Sequence, residues 1–142
     1  MDNRSIQVAR FVLAFSWVYH GLFPKLITVA PLEKALTATI GLSAQHSYLV
    51  TKTAGILEIA FGLVIFMFYQ NRSVLQINIM ALILLCLFTA IKMPVLLIEA
   101  FNPVTTNLAL IGLSYILLRA QNKGKSFLLQ KWVLMWKKLS QL

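Results

Sequence analysis

Residues 49–69 read LVTKTAGILEIAFGLVIFMFY, and this stretch decides the class of fold. It is apolar over almost its whole length, which is close to the roughly 20 residues that an α-helix needs to cross a bilayer. Its two charged side chains are Lys52, near one end, and Glu58, near the middle. We therefore predict a transmembrane helix here.

Three further apolar runs accompany this one. Pro24 lies near the end of the first run, where it should kink or stop the helix. Counting the last run from residue 102 lengthens it and places Pro103 in a first turn, where proline is tolerated. Residues 30–48 form the longest loop, with a short helix predicted around 32–39. The pattern predicts an all-α fold, an integral membrane four-helix bundle in residues 1–120, with spans at about 8–29, 49–69, 74–91 and 102–118.

The composition excludes an ordinary water-soluble protein. Of 142 residues, 59% are hydrophobic and 12% charged, against about 45–50% and 25% in soluble domains. We therefore expect the lipid bilayer to be the principal partner. The net charge is +9, but no recognised module combines basic and aromatic residues as a nucleic-acid-binding site would, so we expect no nucleic acid.

Cysteine and histidine are scarce. Cys86 is the single cysteine, so no disulfide can form within the chain. His20 and His46 form no metal-binding motif, and we expect neither a metal nor a haem.

The distribution of positive charge predicts the orientation of the bundle. With both termini on the cytoplasmic side, that side carries nine Lys and Arg residues, and the opposite side carries four: Lys25, Lys34, Lys52 and Lys92. Because short cytoplasmic loops are enriched in Lys and Arg, we predict that both termini are cytoplasmic.

Residues 121–142 are predicted to be a basic, amphipathic cytoplasmic tail. Apolar residues recur there at helical spacing, with lysines off the stripe, which is typical of a helix lying in the headgroup layer. We expect either an interfacial anchor or a docking segment for a partner protein. The stripe consists of Leu128, Trp132, Met135, Trp136 and Leu139.

Glu58 is the clearest functional candidate. It lies nine residues into the second run, roughly 13 Å deep at 1.5 Å per residue, where an ionisable side chain is costly and usually faces the bundle interior. Thr51, Gly55 and Gly62 share its helix face, and small residues there let another helix approach closely. His20 should lie at a similar depth in the antiparallel first helix, so the two side chains could share a proton or form an ion pair.

Further polar residues should lie at the same end of the bundle. Lys25 follows one turn after His20, while Lys92 and Asn107 flank the loop between the last two spans. These residues could line one polar pocket. Alternatives stay open: Glu58 could form a structural ion pair with His20 or Lys25, the two lysines could extend to the headgroups, and Asn107 could bond only across helices.

Three segments resemble the DoxX-like family. Residues 15–26, FSWVYHGLFPKL, are similar to its first-helix signature, residues 55–63, GILEIAFGL, to its second-helix motif, and residues 101–107, FNPVTTN, to the start of its last helix. The resemblance covers about residues 8–118 and leaves the tail outside. It implies a four-helix protein of the bacterial inner (plasma) membrane. The family is named after the small subunit of a thiosulfate:quinone oxidoreductase, and relatives occur in membrane-bound oxidoreductase complexes.

The first functional hypothesis is a non-catalytic membrane subunit of an oxidoreductase-type complex, with an intramembrane pocket for a quinone or a lipid-like small molecule. Its contacts would be Trp17, Tyr19, His20, Lys25 and Glu58, with His20 and Glu58 as proton carriers. No residue is assigned a catalytic role, and catalysis would come from another chain. The alternatives are a structural or assembly partner of another membrane protein, and a small-solute or proton pathway, which would require a homo-oligomer to make room for a pore.

Overall fold

The structure, a computed structural model, describes residues 2–100 and 102–139, and it describes side chains as far as Gln121. Helices account for most of this part of the chain. The elements, in order, are α1 (Asn3–Gly21), a π-helical segment (Leu22–Ile27), α2 (Pro31–Ala38), α3 (Ala44–Phe68), α4 (Arg72–Lys92), a 3-10 turn (Pro94–Leu97) and α5 (Pro103–Leu139).

Four helical segments are long and apolar enough to cross a membrane: Asn3–Ile27, Ala44–Phe68, Arg72–Lys92 and Pro103–Gln121. Large apolar side chains cover their outer faces, including the exposed Leu57, Met67 and Ile91. Such faces are unfavourable in water but match lipid, and helices satisfy their own backbone hydrogen bonds there. The prediction of an all-α multi-pass membrane protein with four spans is confirmed.

Polar caps extend the helices beyond the apolar runs. Asp2 accepts a hydrogen bond from the Ser5 backbone N–H at 2.9 Å and starts α1, and Asn71 accepts one from the Ser73 N–H at 2.9 Å and starts α4. Hydropathy alone misses these starts because the first turns are polar.

The last helix passes through residue 120 without a break and continues to Leu139, the last residue described. The fourth span and residues 121–139 of the predicted tail are therefore one continuous helix in the backbone. The predicted apolar stripe of the tail lies outside the residues whose side chains are described, so it stays a prediction.

Pro24 changes the helix type and does not end the helix there. Proline has no N–H for the usual bond to the fourth residue before it, and the chain widens into the π-helical segment. The Thr28 N–H donates to the Phe23 carbonyl at 3.1 Å, and the Ala30 N–H donates to the Pro24 carbonyl at 2.9 Å. Wide turns of this kind are frequent at functional sites, and this one carries Lys25.

Glycines let α1 and α3 come into backbone contact. A Cβ added at Gly55 would lie 2.7 Å from the Gly21 carbonyl oxygen, and one added at Gly62 would lie 2.9 Å from the Ala14 carbonyl oxygen. The predicted small-residue face of α3 thus packs against α1, as the sequence indicated. Since Glu58 lies on the same face, this contact turns it toward the bundle interior.

The apolar core fills the half of the bundle farther from α2. Leu13, Ile65, Leu75 and Leu117 are fully buried there. Toward α2 a polar cavity opens above the core.

Candidate functional site

The cavity lies among α1, α3, α4 and α5 at the end of the bundle that carries α2. Its volume is about 160 Å³. Trp17, Leu82 and Leu110 contribute apolar surface, and seven polar residues line the rest: Ser16, His20, Lys25, Glu33, Glu58, Thr89 and Asn107. A site that is mostly apolar with a few converging polar groups is typical of a small-molecule pocket.

Lys25 lies between two carboxylates. Its ammonium group bonds to Glu58 Oε1 and lies 3.6 Å from Glu33 Oε1. The side chains are mostly buried, with exposures of 12% for Lys25, 14% for Glu58 and 20% for Glu33. Three elements meet at this point, because the π-helical segment presents Lys25, the first turn of α2 presents Glu33, and α3 presents Glu58.

One cation therefore faces two acids. Burial raises the pKa of Glu33 above its ordinary value, the Lys25 charge opposes that shift, and the Glu58 charge adds to it. The cluster carries more acceptor oxygens than Lys25 can satisfy.

The second oxygen of Glu58 shows the imbalance directly. Oε2 is buried and has no hydrogen-bond partner within the described part of the chain. A buried acceptor without a hydrogen-bond partner is costly, and such exceptions need a physical explanation. A ligand in the cavity that donates a hydrogen bond would supply one.

His20 lines the cavity and is exposed, which places it at the mouth. The sequence predicted that it would lie near Glu58, and both residues line the same cavity. The direct partner of the carboxylate is nevertheless Lys25, which was the other ion pair left open by the sequence.

A buried hydrogen-bond chain fixes the indole at the base of the cavity. Trp17 Nε1 donates to Asn78 Oδ1 at 2.6 Å, and Asn78 Nδ2 donates to Ser114 Oγ at 2.7 Å. These residues belong to α1, α4 and α5. Asn78 does not line the cavity, but it determines the orientation of Trp17, which does.

Asn107 lies on the α5 wall of the cavity and is buried. Its Nδ2 donates to Cys86 Sγ at 3.2 Å and lies 3.5 Å from the Leu82 carbonyl oxygen. It therefore bonds across helices and also lines the cavity, so the two interpretations left open by the sequence are compatible.

Tyr19 and Lys92 are not brought into this cavity. Tyr19 points outward in an aromatic row on α1, with ring centroids 5.8 Å from Phe15 and 4.7 Å from Phe23. Lys92 is exposed at the end of α4, where its ammonium group can reach the headgroup layer.

Glu33 was not among the residues proposed from the sequence. Its segment was predicted to be a loop with a short helix, and nothing in the local pattern shows that α2 folds back over the cavity. One signal was available: Glu33 and Glu58 are two of four acidic residues in a chain with 13 Lys and Arg.

Comparison with known families gives one match. A family model described as the DoxX-like family matches residues 14–115, more than half of the chain. The matched region runs from α1 to α5 and contains every residue that lines the cavity. No curated protein and no solved structure matches the chain.

Proposed function

This chain belongs to the DoxX-like family, and we propose that it is a non-catalytic membrane subunit of an oxidoreductase-type complex that holds the headgroup of a quinone or a similar lipid-like molecule in its polar cavity. The observation that carries the proposal is Glu58, which lines a cavity shared by candidate residues from three spans and whose Oε2 is buried without a hydrogen-bond partner in the described part of the chain.

The size of the cavity supports a single-ring headgroup. An apolar cavity of about 150 Å³ is large enough to bind benzene, and this one measures about 160 Å³. A longer tail would have to leave through the mouth near His20, where the apolar surface of the bundle meets lipid. The fit therefore favours a small polar ring on an apolar chain, which is the build of a quinone.

The polar groups suit a molecule that gains and loses protons. Glu58 and His20 would act as proton carriers, since a carboxylate and an imidazole can both accept and release a proton near neutral pH when their surroundings tune them. The ion pair with Lys25 holds the Glu58 side chain in position. The electron transfer itself would be done by a partner chain, in the membrane or in the cytoplasm.

The packing gives less support to the assembly hypothesis. That hypothesis relied on the small-residue face of α3 and on the tail. The glycines of that face, Gly55 and Gly62, contact α1 within the chain and are not available to another protein.

We also propose that the protein lies in a bacterial inner membrane with both termini cytoplasmic, as the positive-inside rule indicates. Lys34 and the end of the bundle that carries the cavity would then lie toward the outer side. Single cysteines placed at residue 34 or 71, in a Cys86→Ser background, test this: an impermeant thiol reagent added to intact cells should label position 34 and not position 71. The reverse pattern would invert the orientation.

Ligand extraction tests the pocket. The protein is purified in mild detergent from its native membrane and extracted with organic solvent, and the extract is analysed by absorbance and mass spectrometry. Glu58→Gln is compared with Glu99→Gln, a matched change at an exposed residue outside the cavity.

We expect a defined small molecule at near one per protein from the natural protein and from Glu99→Gln, with a loss from Glu58→Gln while thermal unfolding remains cooperative. Bulk phospholipid alone in all three samples would contradict the proposal and would favour a structural role for Glu58.

A further inference from the structure

The hydroxyl and indole donors on the cavity wall already have acceptors within the protein. Ser16 Oγ donates to the Val12 carbonyl at 2.8 Å, and Thr89 Oγ1 donates to the Leu85 carbonyl at 3.0 Å. Trp17 Nε1 donates to the Asn78 side chain at 2.6 Å. None of these three hydrogens is free for a ligand.

The side-chain amide of Asn107 and the ammonium group of Lys25 also contact acceptors within the protein. Asn107 Nδ2 faces Cys86 Sγ and the Leu82 carbonyl oxygen. The Lys25 ammonium lies between the carboxylates of Glu58 and Glu33. Two donors of the cavity wall have no acceptor among the described residues: the ring N–H of His20 at the mouth, and the third hydrogen of the Lys25 ammonium group, which has two carboxylate partners for its three donors.

At Glu58 the cavity wall has an acceptor oxygen without a donor. Glu58 Oε1 accepts a hydrogen bond from the Lys25 ammonium group, and the oxygens of a carboxylate in such an ion pair act as acceptors. Glu58 Oε2 is buried and unpartnered. The Glu58 part of the cavity wall is therefore complementary to a donor.

We propose that the cavity recognises a ring hydroxyl, as in a phenol or the quinol form of a quinone, and that Glu58 Oε2 accepts its hydrogen. This rests on the proposed function and deepens it by stating which form of the ligand is bound. A quinone carbonyl offers the carboxylate no hydrogen and brings a second acceptor toward it. A site built to bond a hydroxyl discriminates strongly against an analogue without one, because its own polar group is then left unpaired.

The test uses probes of equal skeleton. An alkylhydroquinone is compared with the alkylbenzoquinone of the same chain length under anaerobic conditions, and an alkylphenol is compared with its methyl ether as a pair that undergoes no redox exchange. Binding to the purified protein is measured by equilibrium dialysis against protein-free micelles of the same detergent, which corrects for partitioning into detergent.

The hydroxyl member of each pair should bind about 10-fold to 100-fold more tightly, the range expected for a hydrogen bond to a charged group. In Glu58→Gln the preference should fall to a few-fold at most, since the amide both donates and accepts. Glu99→Gln should keep the full preference. The comparison in the natural protein stands whether or not the Glu58 variant folds.

The contrary outcomes are distinct. Equal binding of both members, or tighter binding of the benzoquinone, would overturn the hydroxyl assignment while leaving the pocket proposal in place. A preference that persists in a folded Glu58→Gln protein would overturn the role of Oε2. Binding of no probe, together with phospholipid alone in the extract, would overturn this inference and the proposed function together.

Discussion

Replacement of Gly55 by alanine should push α1 and α3 apart. The added Cβ would lie 2.7 Å from the Gly21 carbonyl oxygen, 2.9 Å from Lys25 Cβ and 3.1 Å from Leu26 Cγ. The first of these is a backbone atom, so no side-chain rotation can relieve the contact. The other two belong to the π-helical segment, so relief of the strain should also displace Lys25 from Glu58.

The size of the effect is set by two opposing contributions. Adding a methyl group to a packed interface costs about 1–3 kcal/mol, whereas glycine to alanine within a helix gains at most about 1 kcal/mol. Gly112 provides the matched control, because it lies within α5 and a Cβ there would meet nothing within 4 Å. We expect Gly55→Ala to lower the free energy of unfolding by about 1–2 kcal/mol, and Gly112→Ala to leave it unchanged or raise it.

Unfolding in mixed micelles by increasing amounts of a denaturing detergent, followed by circular dichroism, measures both variants under the same conditions. The Gly55 variant should also bind the hydroxyl probe more weakly. If Gly55→Ala is as stable as Gly112→Ala and binds the probe normally, then the close approach of the two helices does not hold the site together, and the packing argument is wrong.

Three further predictions concern the charged cluster and the base of the cavity. Lys25→Met leaves two acids without their cation and should lower the free energy of unfolding by about 3 kcal/mol. The double variant Lys25→Met/Glu58→Gln should recover part of this loss. Burial raises the pKa of Glu33, so the folded protein takes up a proton at a higher pH than the unfolded protein does. Lowering the pH from neutral toward the ordinary pKa of a glutamate should therefore increase the free energy of unfolding. Glu33→Gln should abolish this increase. Asn78→Ala removes the acceptor of Trp17 and should cost about 1–3 kcal/mol. Detergent unfolding measures all three, the second as a function of pH.

Each of these predictions has a clear contrary result. If Lys25→Met leaves the free energy of unfolding unchanged, the ion pairs of Lys25 do not stabilise the folded state. If the stability of Glu33→Gln depends on pH in the same way as that of the natural protein, a group other than Glu33 is responsible for the pH dependence. If Asn78→Ala is as stable as the natural protein, the buried hydrogen-bond chain does not contribute to stability.

The sequence by itself determined the class of fold and the inward face of α3. Four apolar runs of membrane-spanning length can fold in few ways, because only helices or closed barrels satisfy their backbone groups in lipid. Helical spacing also placed Glu58 on the same face as Gly55 and Gly62. Small residues mark close helix contacts and charged residues avoid lipid, so the glycines and Glu58 indicate the same inward face. This face can be found from the sequence because it depends on residues only three to seven positions apart.

Only the tertiary structure decided which polar residues share the cavity. The sequence placed Tyr19 and Lys92 at the correct end of the bundle but could not orient them, because small rotations of a helix decide whether a side chain near the edge of a face points to lipid or to the interior. Glu33 joined the site because the loop after α1 folds α2 back over the bundle. That path depends on contacts between segments distant in the chain, and no local pattern encodes it.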